Sequence, residues 1–216
     1  MFALKIHTMP LGPIQTNCYL LYEEETKQCV IIDPGDEARR VINWINREKL
    51  QPLAILLTHT HFDHIGAVDE VRDEFSIPVY VHEREKKWLK EPNLNGSGKY
   101  ADFPNVIVRP ADVVLGPADT TLTIGPFSFD IYHTPGHSPG SITFHLKEQR
   151  IAFVGDVIFR QSIGRTDLIE GSMPQLLESI HRHILTMEED TILYPGHGPL
   201  TSPGLEQDDN PFLHGF

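Results

Sequence analysis

The sequence predicts an α+β fold: two sheets packed together, with amphipathic helices covering them outside. Three observations carry this expectation. Short apolar, strand-like runs recur along the chain, segments with apolar residues at helical spacing stand between them, and 16 Gly and 17 Pro punctuate the elements. With 216 residues the chain can bury a substantial core, and no break in its hydrophobic pattern marks a linker. A single domain over residues 1–216 is therefore expected.

Taken in order, Met1-Phe2-Ala3-Leu4-Lys5 opens directly into a strand-like pattern. Runs 18–22 and 29–32 flank the polar stretch 23–28 and read as an antiparallel pair. Asp33-Pro34-Gly35-Asp36 ends the second run and offers Asp36 as a helix cap, after which Ala38, Val41, Ile42 and Ile45 follow at helical spacing as far as Lys49. Residues 53–57 form a buried-strand run, and Ile65, Val68, Val71 and Phe75 then continue at helical spacing. A short strand at 79–81 and a polar helix over 83–90 come next. The stretch 93–102, with Asn95-Gly96-Ser97-Gly98, has no periodicity and reads as an exposed loop. Strands then dominate, at 120–124, 127–132, 141–146 and 151–154. Met173, Leu176, Leu177, Ile180 and Ile184 make the last clear helix, before a strand over 191–194.

Composition narrows the function classes. The net charge of −12 argues against sequence-independent binding to nucleic acid, which needs a basic surface. Two cysteines, Cys18 and Cys29, make no disulfide framework, so a reducing cytoplasm is the expected setting. The N-terminus lacks a signal-peptide apolar region, and no run approaches the ~18 apolar residues of a membrane span. A soluble chain with no membrane partner follows, and nothing in the pattern specifies an oligomer.

The run 53–57 delivers Thr58-His59-Thr60-His61-Phe62-Asp63-His64, which holds four potential metal ligands within six residues. Imidazole and carboxylate donors suit zinc, and also iron or manganese. Alternation places His59 and His61 on one side of an extended segment, with Asp63 and His64 following as the chain turns into a helix. Three further candidates lie in turns marked by glycine after strand-like runs: His137, Asp156 and His197. Seven ligand-type residues from four strand ends can surround two ions. A closed structural site would instead be rich in cysteine, and no cysteine pair offers one.

At these residues the chain resembles the metallo-β-lactamase-fold hydrolases, and within them the short, single-domain glyoxalase II-like (hydroxyacylglutathione hydrolase-like) proteins. His59, His61, Asp63 and His64 match the H-x-H-x-D-H motif, and the resemblance runs from Gln15-Thr16-Asn17-Cys18-Tyr19 to Asn210-Pro211-Phe212-Leu213. It implies a four-layer αβ/βα sandwich with the metal site at the sheet edges. His59, His61 and His137 would hold one ion, Asp63, His64 and His197 the other, and Asp156 would bridge them. Metallo-β-lactamases proper commonly carry a cysteine where Asp156 stands, and diiron flavoproteins an acidic residue where His61 stands, so the resemblance points away from both. About twenty residues follow His197, fewer than the C-terminal helical domain of full-length glyoxalase II needs.

The implied activity is a dinuclear-metal hydrolysis of a small-molecule thioester of the hydroxyacyl-glutathione type by metal-bound hydroxide. Two divalent ions serve it, zinc foremost, with iron or manganese as alternatives. Asp63 is the candidate catalytic residue, orienting the hydroxide through its second oxygen. The competing activity is a mononuclear-iron persulfide dioxygenase of the same fold, which also carries the histidine cluster and a Gly-Arg-Thr-Asp segment. An RNA-processing nuclease fits the metal site but not the acidic charge. In Gly164-Arg165-Thr166-Asp167, Arg165 reads as a substrate-binding residue that forks onto a carboxylate, with an ion pair to Asp167 as the other reading. Asp33 either orients a ligand histidine or simply forms the turn before Pro34. His7, His82, His133, His145, His181, His183 and His214 are not expected as ligands. His133 should pack beside the site, and His181 and His183 should be solvated.

Overall fold

The computed structural model describes residues 4–99 and 104–213. The chain forms two compact units, one of Met1–Gly116 with Thr123–Phe127, the other of Pro117–Leu122 with Ser128–Phe216.

In the first unit, β1 (Leu4–Leu11), β2 (Thr16–Glu23), β3 (Gln28–Ile32), β4 (Gln51–Leu56), β5 (Val79–His82) and β6 (Val113–Leu115) form a sheet in sequence order. β1, β2 and β3 pair antiparallel through short turns, whereas β3 to β6 run parallel. Parallel neighbours need crossovers. α1 (Ala38–Glu48) connects β3 to β4, and α2 (Phe62–Ile65) with α3 (Val68–Phe75) connects β4 to β5. Alternate strand residues Cys18, Leu20, Cys29, Ile31, Ile55, Leu57, Val79 and Val81 join Val41, Ile45, Val68 and Val71 in one buried cluster. Period two on the strands thus meets period 3.6 on the helices. Each such aliphatic side chain contributes roughly 1.5–3 kcal/mol on burial.

Several elements differ from the sequence expectation. Glu37, at φ +50°, occupies the cap position of α1, while Asp36 accepts the Glu37 N–H through Oδ1 at 2.6 Å, so Asp36 is not the cap. The expected helix through Ile65 and Phe75 breaks in two, because Gly66 lies against the Gly35 carbonyl and the Ala67 N–H turns to the Pro34 carbonyl. Residues 83–90 form successive turns rather than an α-helix. Trp88, Leu89 and Glu85 are all buried there, which a solvated helix would not allow. Residues 93–99 are not an exposed loop: α4 (Pro92–Asn95) leads into a 3₁₀ turn, and Asn95 binds the Trp88 and Val106 carbonyls and the Ser97 hydroxyl. The remainder of that expected loop, residues 100–102, lies outside the described residues, as do residues 1–3 and His214.

The five-stranded sheet has the order β13-β10-β9-β8-β7. Its strands are β7 (Thr121–Ile124), β8 (Phe127–His133), β9 (Ile142–Leu146), β10 (Ile151–Gly155) and β13 (Ile192–Pro195). A two-stranded ribbon, β11 (Ile158–Phe159) and β12 (Ser162–Ile163), follows β10. α5 (Met173–Ser179) continues through a π-helical turn at Ile180–Ile184, and α6 (Pro203–Asp209) follows β13. Leu176, Ile180 and Ile184 pack on Ala152, Val154, Val157 and Leu193. The β10–β13 register shifts between Phe153 and Gly155, so a bulge re-aims the chain just before Asp156.

Candidate metal centre

In the first unit, β4 runs out at Leu56, and Thr58 begins the ligand-bearing segment. Asp33, at the end of β3 and at φ +49°, receives the Thr58 N–H on Oδ1 at 2.8 Å and the Thr58 hydroxyl on Oδ2. The same Oδ2 lies 2.9 Å from His64 Nδ1. A carboxylate can only accept, so His64 carries its proton on Nδ1 and presents a lone pair at Nε2. The Thr58 hydroxyl has already spent its proton on Asp33, so its oxygen accepts from His59 Nδ1 at 3.1 Å. His59 is thereby fixed in the same tautomer. One carboxylate sets two imidazoles. Asp33 takes three donors, two of them on Oδ2, which makes it an orienting group although its oxygens lie close to the His59 and His64 nitrogens.

Thr60, between His59 and His61, is held by a second buried carboxylate. Glu85 Oε2 accepts its N–H at 2.6 Å and its hydroxyl at 2.8 Å. The His59 and His61 rings stand 4.8 Å apart at 90°, on one side of the segment as alternation requires. Asp63 Oδ2 accepts the Thr16 hydroxyl at 2.7 Å and lies 3.6 Å from His64 Nε2. Gly35 makes this packing feasible, since a Cβ there would fall 1.7 Å from the Asp63 carbonyl oxygen. Thr16, Glu85 and Gly35 were not singled out by sequence reasoning. Each acts across a long sequence separation that no local pattern signals.

In the second unit, His137 follows β8, Asp156 follows β10 and His197 follows β13. His137 Nδ1 donates to the Arg165 carbonyl at 2.8 Å, which again leaves the lone pair on Nε2. Asp156 Oδ2 stands 3.5 Å from His137 Nε2 and 3.5 Å from His197 Nε2. Gly164 lies directly on the Asp156 backbone, where a Cβ would approach the carbonyl oxygen to 1.9 Å. The Arg165 guanidinium forks onto Asp167 with two contacts of 2.7 Å, both groups being exposed. The residue thus meets the site through its backbone. His133 Nε2–H donates to the Pro139 carbonyl at 2.8 Å, bracing the loop that carries His137. His183 is half-buried rather than solvated and stacks on Tyr132, while His181 is exposed.

Whether these groups suit a metal can be judged from their spacing. Separations of 3.5–3.6 Å exceed an ordinary hydrogen bond. Two donors each about 2.0–2.2 Å from a tetrahedral ion stand roughly 3.4 Å apart. The His64–Asp63, His137–Asp156 and His197–Asp156 pairs all match that ligand–ligand edge. A single oxygen, Asp156 Oδ2, belongs to two such edges. With the Nδ1–H groups of His59, His64 and His137 committed to oxygen acceptors and a buried carboxylate needing a compensating cation, the donor set fits divalent metal.

Comparison with known proteins agrees. The family model described as the metallo-beta-lactamase superfamily matches residues 11–197. The probable metallo-hydrolase YqgX of Bacillus subtilis is 50% identical over 99% of each chain. The hydroxyacylglutathione hydrolase GloC of Haemophilus influenzae is 36% identical over 98% of this chain and 99% of its own. Among solved structures, the BLEG-1 B3 metallo-beta-lactamase superposes with a TM-score of 0.94 at 55% identity, covering 98% of this chain and 100% of its own. TTHA1623 in a di-iron-bound form gives 0.83 at 37% identity, covering 96% and 100%. Among the described residues, no helix is long and apolar enough to cross a membrane.

Proposed function

The chain belongs to the metallo-beta-lactamase superfamily, with its fold and its metallo-hydrolase character, and from that premise we propose that it hydrolyses a small-molecule thioester of the hydroxyacyl-glutathione type. The observation that carries the dinuclear part of this reading is Asp156 Oδ2, equidistant at 3.5 Å from two histidine nitrogens. His59, His61 and His137 are assigned to one ion, Asp63, His64 and His197 to the other, and Asp156 to both. Zinc is the metal proposed, and the di-iron form of TTHA1623 keeps iron as the alternative. The thioester reading is supported by the 36% identity to a hydroxyacylglutathione hydrolase over nearly the whole chain.

When bound, divalent ions acidify coordinated water towards neutral pH and polarise a carbonyl oxygen. The chain's own residues supply orientation. Asp33 and the Thr58 hydroxyl fix the tautomers of His64 and His59, and the Arg165 carbonyl fixes His137. Thr16 anchors one oxygen of Asp63, and the role assigned to Asp63 is to orient the attacking water through its second oxygen. A thioester carbonyl then needs no protein nucleophile, because thiolate is a good leaving group.

A second reading, opening of a β-lactam amide, is favoured by the 55% identity to a protein described as a B3 metallo-beta-lactamase. The test loads purified protein with zinc or with iron and follows thiol release from lactoyl-glutathione, opening of a chromogenic cephalosporin, and oxygen uptake with glutathione persulfide. The proposal expects thiol release as the fastest reaction. Faster cephalosporin opening would replace it with the lactamase reading, and oxygen uptake by a one-iron form would replace it with the dioxygenase.

A further inference from the structure

Beside Asp63 the first unit contains a cleft of about 160 Å³. Its walls are the turn between β1 and β2, from Leu11 to Ile14, together with Phe62 and Val106. Among the described residues that line it, the only ionisable side chains are Asp36 and Asp63. The wall is fixed in place. Gln15, at φ +59°, returns both its backbone N–H and its side-chain amide to the Gly12 carbonyl, at 3.2 and 2.6 Å. Thr16, the next residue, ties the turn to Asp63. Ile14 is nevertheless 37% exposed, a large aliphatic group held at the mouth by a rigid turn.

Resting on the thioester reading, the geometry points to this cleft as a subsite for an uncharged hydrocarbon group of the substrate, of about four to six carbons. Size sets the upper limit: an apolar cavity of about 150 Å³ accommodates one benzene molecule. The lining sets the chemistry: Leu11, Pro13, Ile14, Phe62 and Val106 offer apolar surface, which favours a hydrocarbon group over a hydrated, charged one. Position sets the role, because a group seated against Phe62 and Ile14 lies next to Asp63 and so helps to aim the reacting carbonyl. The group can come from the acyl or the thiol side of the ester.

Two substrate series separate those sources. One lengthens the acyl chain from acetyl to octanoyl on N-acetylcysteamine, a neutral thiol. The other lengthens the thiol of S-alkyl thioacetates from ethyl to octyl. In one series kcat/KM should rise about fourfold per methylene, the effect of a buried CH₂, and level off near six carbons. Ile14→Asn should flatten that slope. Binding is read separately in the protein without metal: hexanamide should shift the NMR signals of the Ile14 methyls and the Phe62 ring, acetamide should not, and Ile14→Asn should abolish the shift. An enzyme that cleaves thioesters with no chain-length slope in either series would overturn the cleft assignment and leave the thioester reading intact. If no thioester is cleaved while hexanamide binds at Ile14, the subsite stands and the thioester reading falls.

Discussion

Replacing Asp33 by Asn should cost metal affinity far more than it costs stability. Asn fits the left-handed backbone at φ +49° at least as well as Asp, and it keeps nearly the same volume. Its amide oxygen can still take the Thr58 N–H that Oδ1 accepts at 2.8 Å. Its amide nitrogen would then occupy the place of Oδ2, facing the Thr58 hydroxyl and His64 Nδ1. Two N–H groups cannot face each other, so His64 must move its proton to Nε2. The Thr58 hydroxyl, now accepting from the amide, is free to donate to His59 Nδ1, which favours the same change there. Both imidazoles would lose the lone pair that a metal needs. Disturbing one orienting partner typically costs 10–100-fold in metal affinity, so with two ligands affected the expected loss is at least about 100-fold, near 2.7 kcal/mol. Urea unfolding of the protein without metal should move by only about 1 kcal/mol, since the hydrogen-bond count is largely kept. Zinc affinity is read by competition with a chromophoric chelator, and tautomers by long-range proton–nitrogen NMR correlations. A variant that binds zinc like the parent, with His64 still protonated at Nδ1, would refute the tautomer argument.

Three further outcomes are expected. Asp156→Ala should lose at least one ion per chain and most turnover while the fold persists, because its Oδ2 is shared by His137 and His197 at 3.5 Å each; elemental analysis of the dialysed variant checks this, and full metal content would contradict the shared assignment. Arg165→Ala keeps the carbonyl that holds His137, so metal content should stay constant while kcat/KM on lactoyl-glutathione falls about tenfold; the exposed pair with Asp167, worth no more than about 1 kcal/mol, is easily given up for a substrate carboxylate. An unchanged kcat/KM would confine Arg165 to its pairing with Asp167. Burial pushes the thiols of Cys18 and Cys29 up, Cys29 to about 12. The folded chain therefore keeps two protons that the unfolded chain sheds above about pH 8.5. This stability is whole below that pH and declines as pH rises towards the folded values, by up to about 2.7 kcal/mol per unit. Urea midpoints between pH 8 and 11 should fall less steeply in Cys18→Ala/Cys29→Ala, and identical slopes would count against buried neutral thiols.

The seven ligand-type residues were visible in the sequence because each is a chemically distinctive side chain just past an apolar run, and the structure puts them after β4, β8, β10 and β13. The core was visible for the same periodic reason. Less legible was everything that depends on distant partners. Asp33 could be weighed as an orienting group, but its control of His59 passes through the Thr58 hydroxyl and is evident only in three dimensions. Glu85 stood in a stretch that read as a polar helix, whereas burial against Thr60 turns that stretch into successive turns. The break between α2 and α3 arises where Gly66 meets Gly35, a contact between segments about thirty residues apart. α6 went unread although Ser202 and Pro203 form a local start signal; what anchors it is the buried Glu206, which accepts from Thr201, from Asn210 at 2.7 Å and from the Gln161 N–H at 2.9 Å. Local propensity carries no trace of such partners.

A two-ion site bridged by Asp156 can be seen by anomalous diffraction at the zinc edge from zinc-saturated crystals. Two peaks per chain are expected, about 3.5–4 Å apart, both within about 2.2 Å of a carboxylate oxygen of Asp156. A single peak at saturating zinc, or two peaks with Asp156 touching only one, would contradict it.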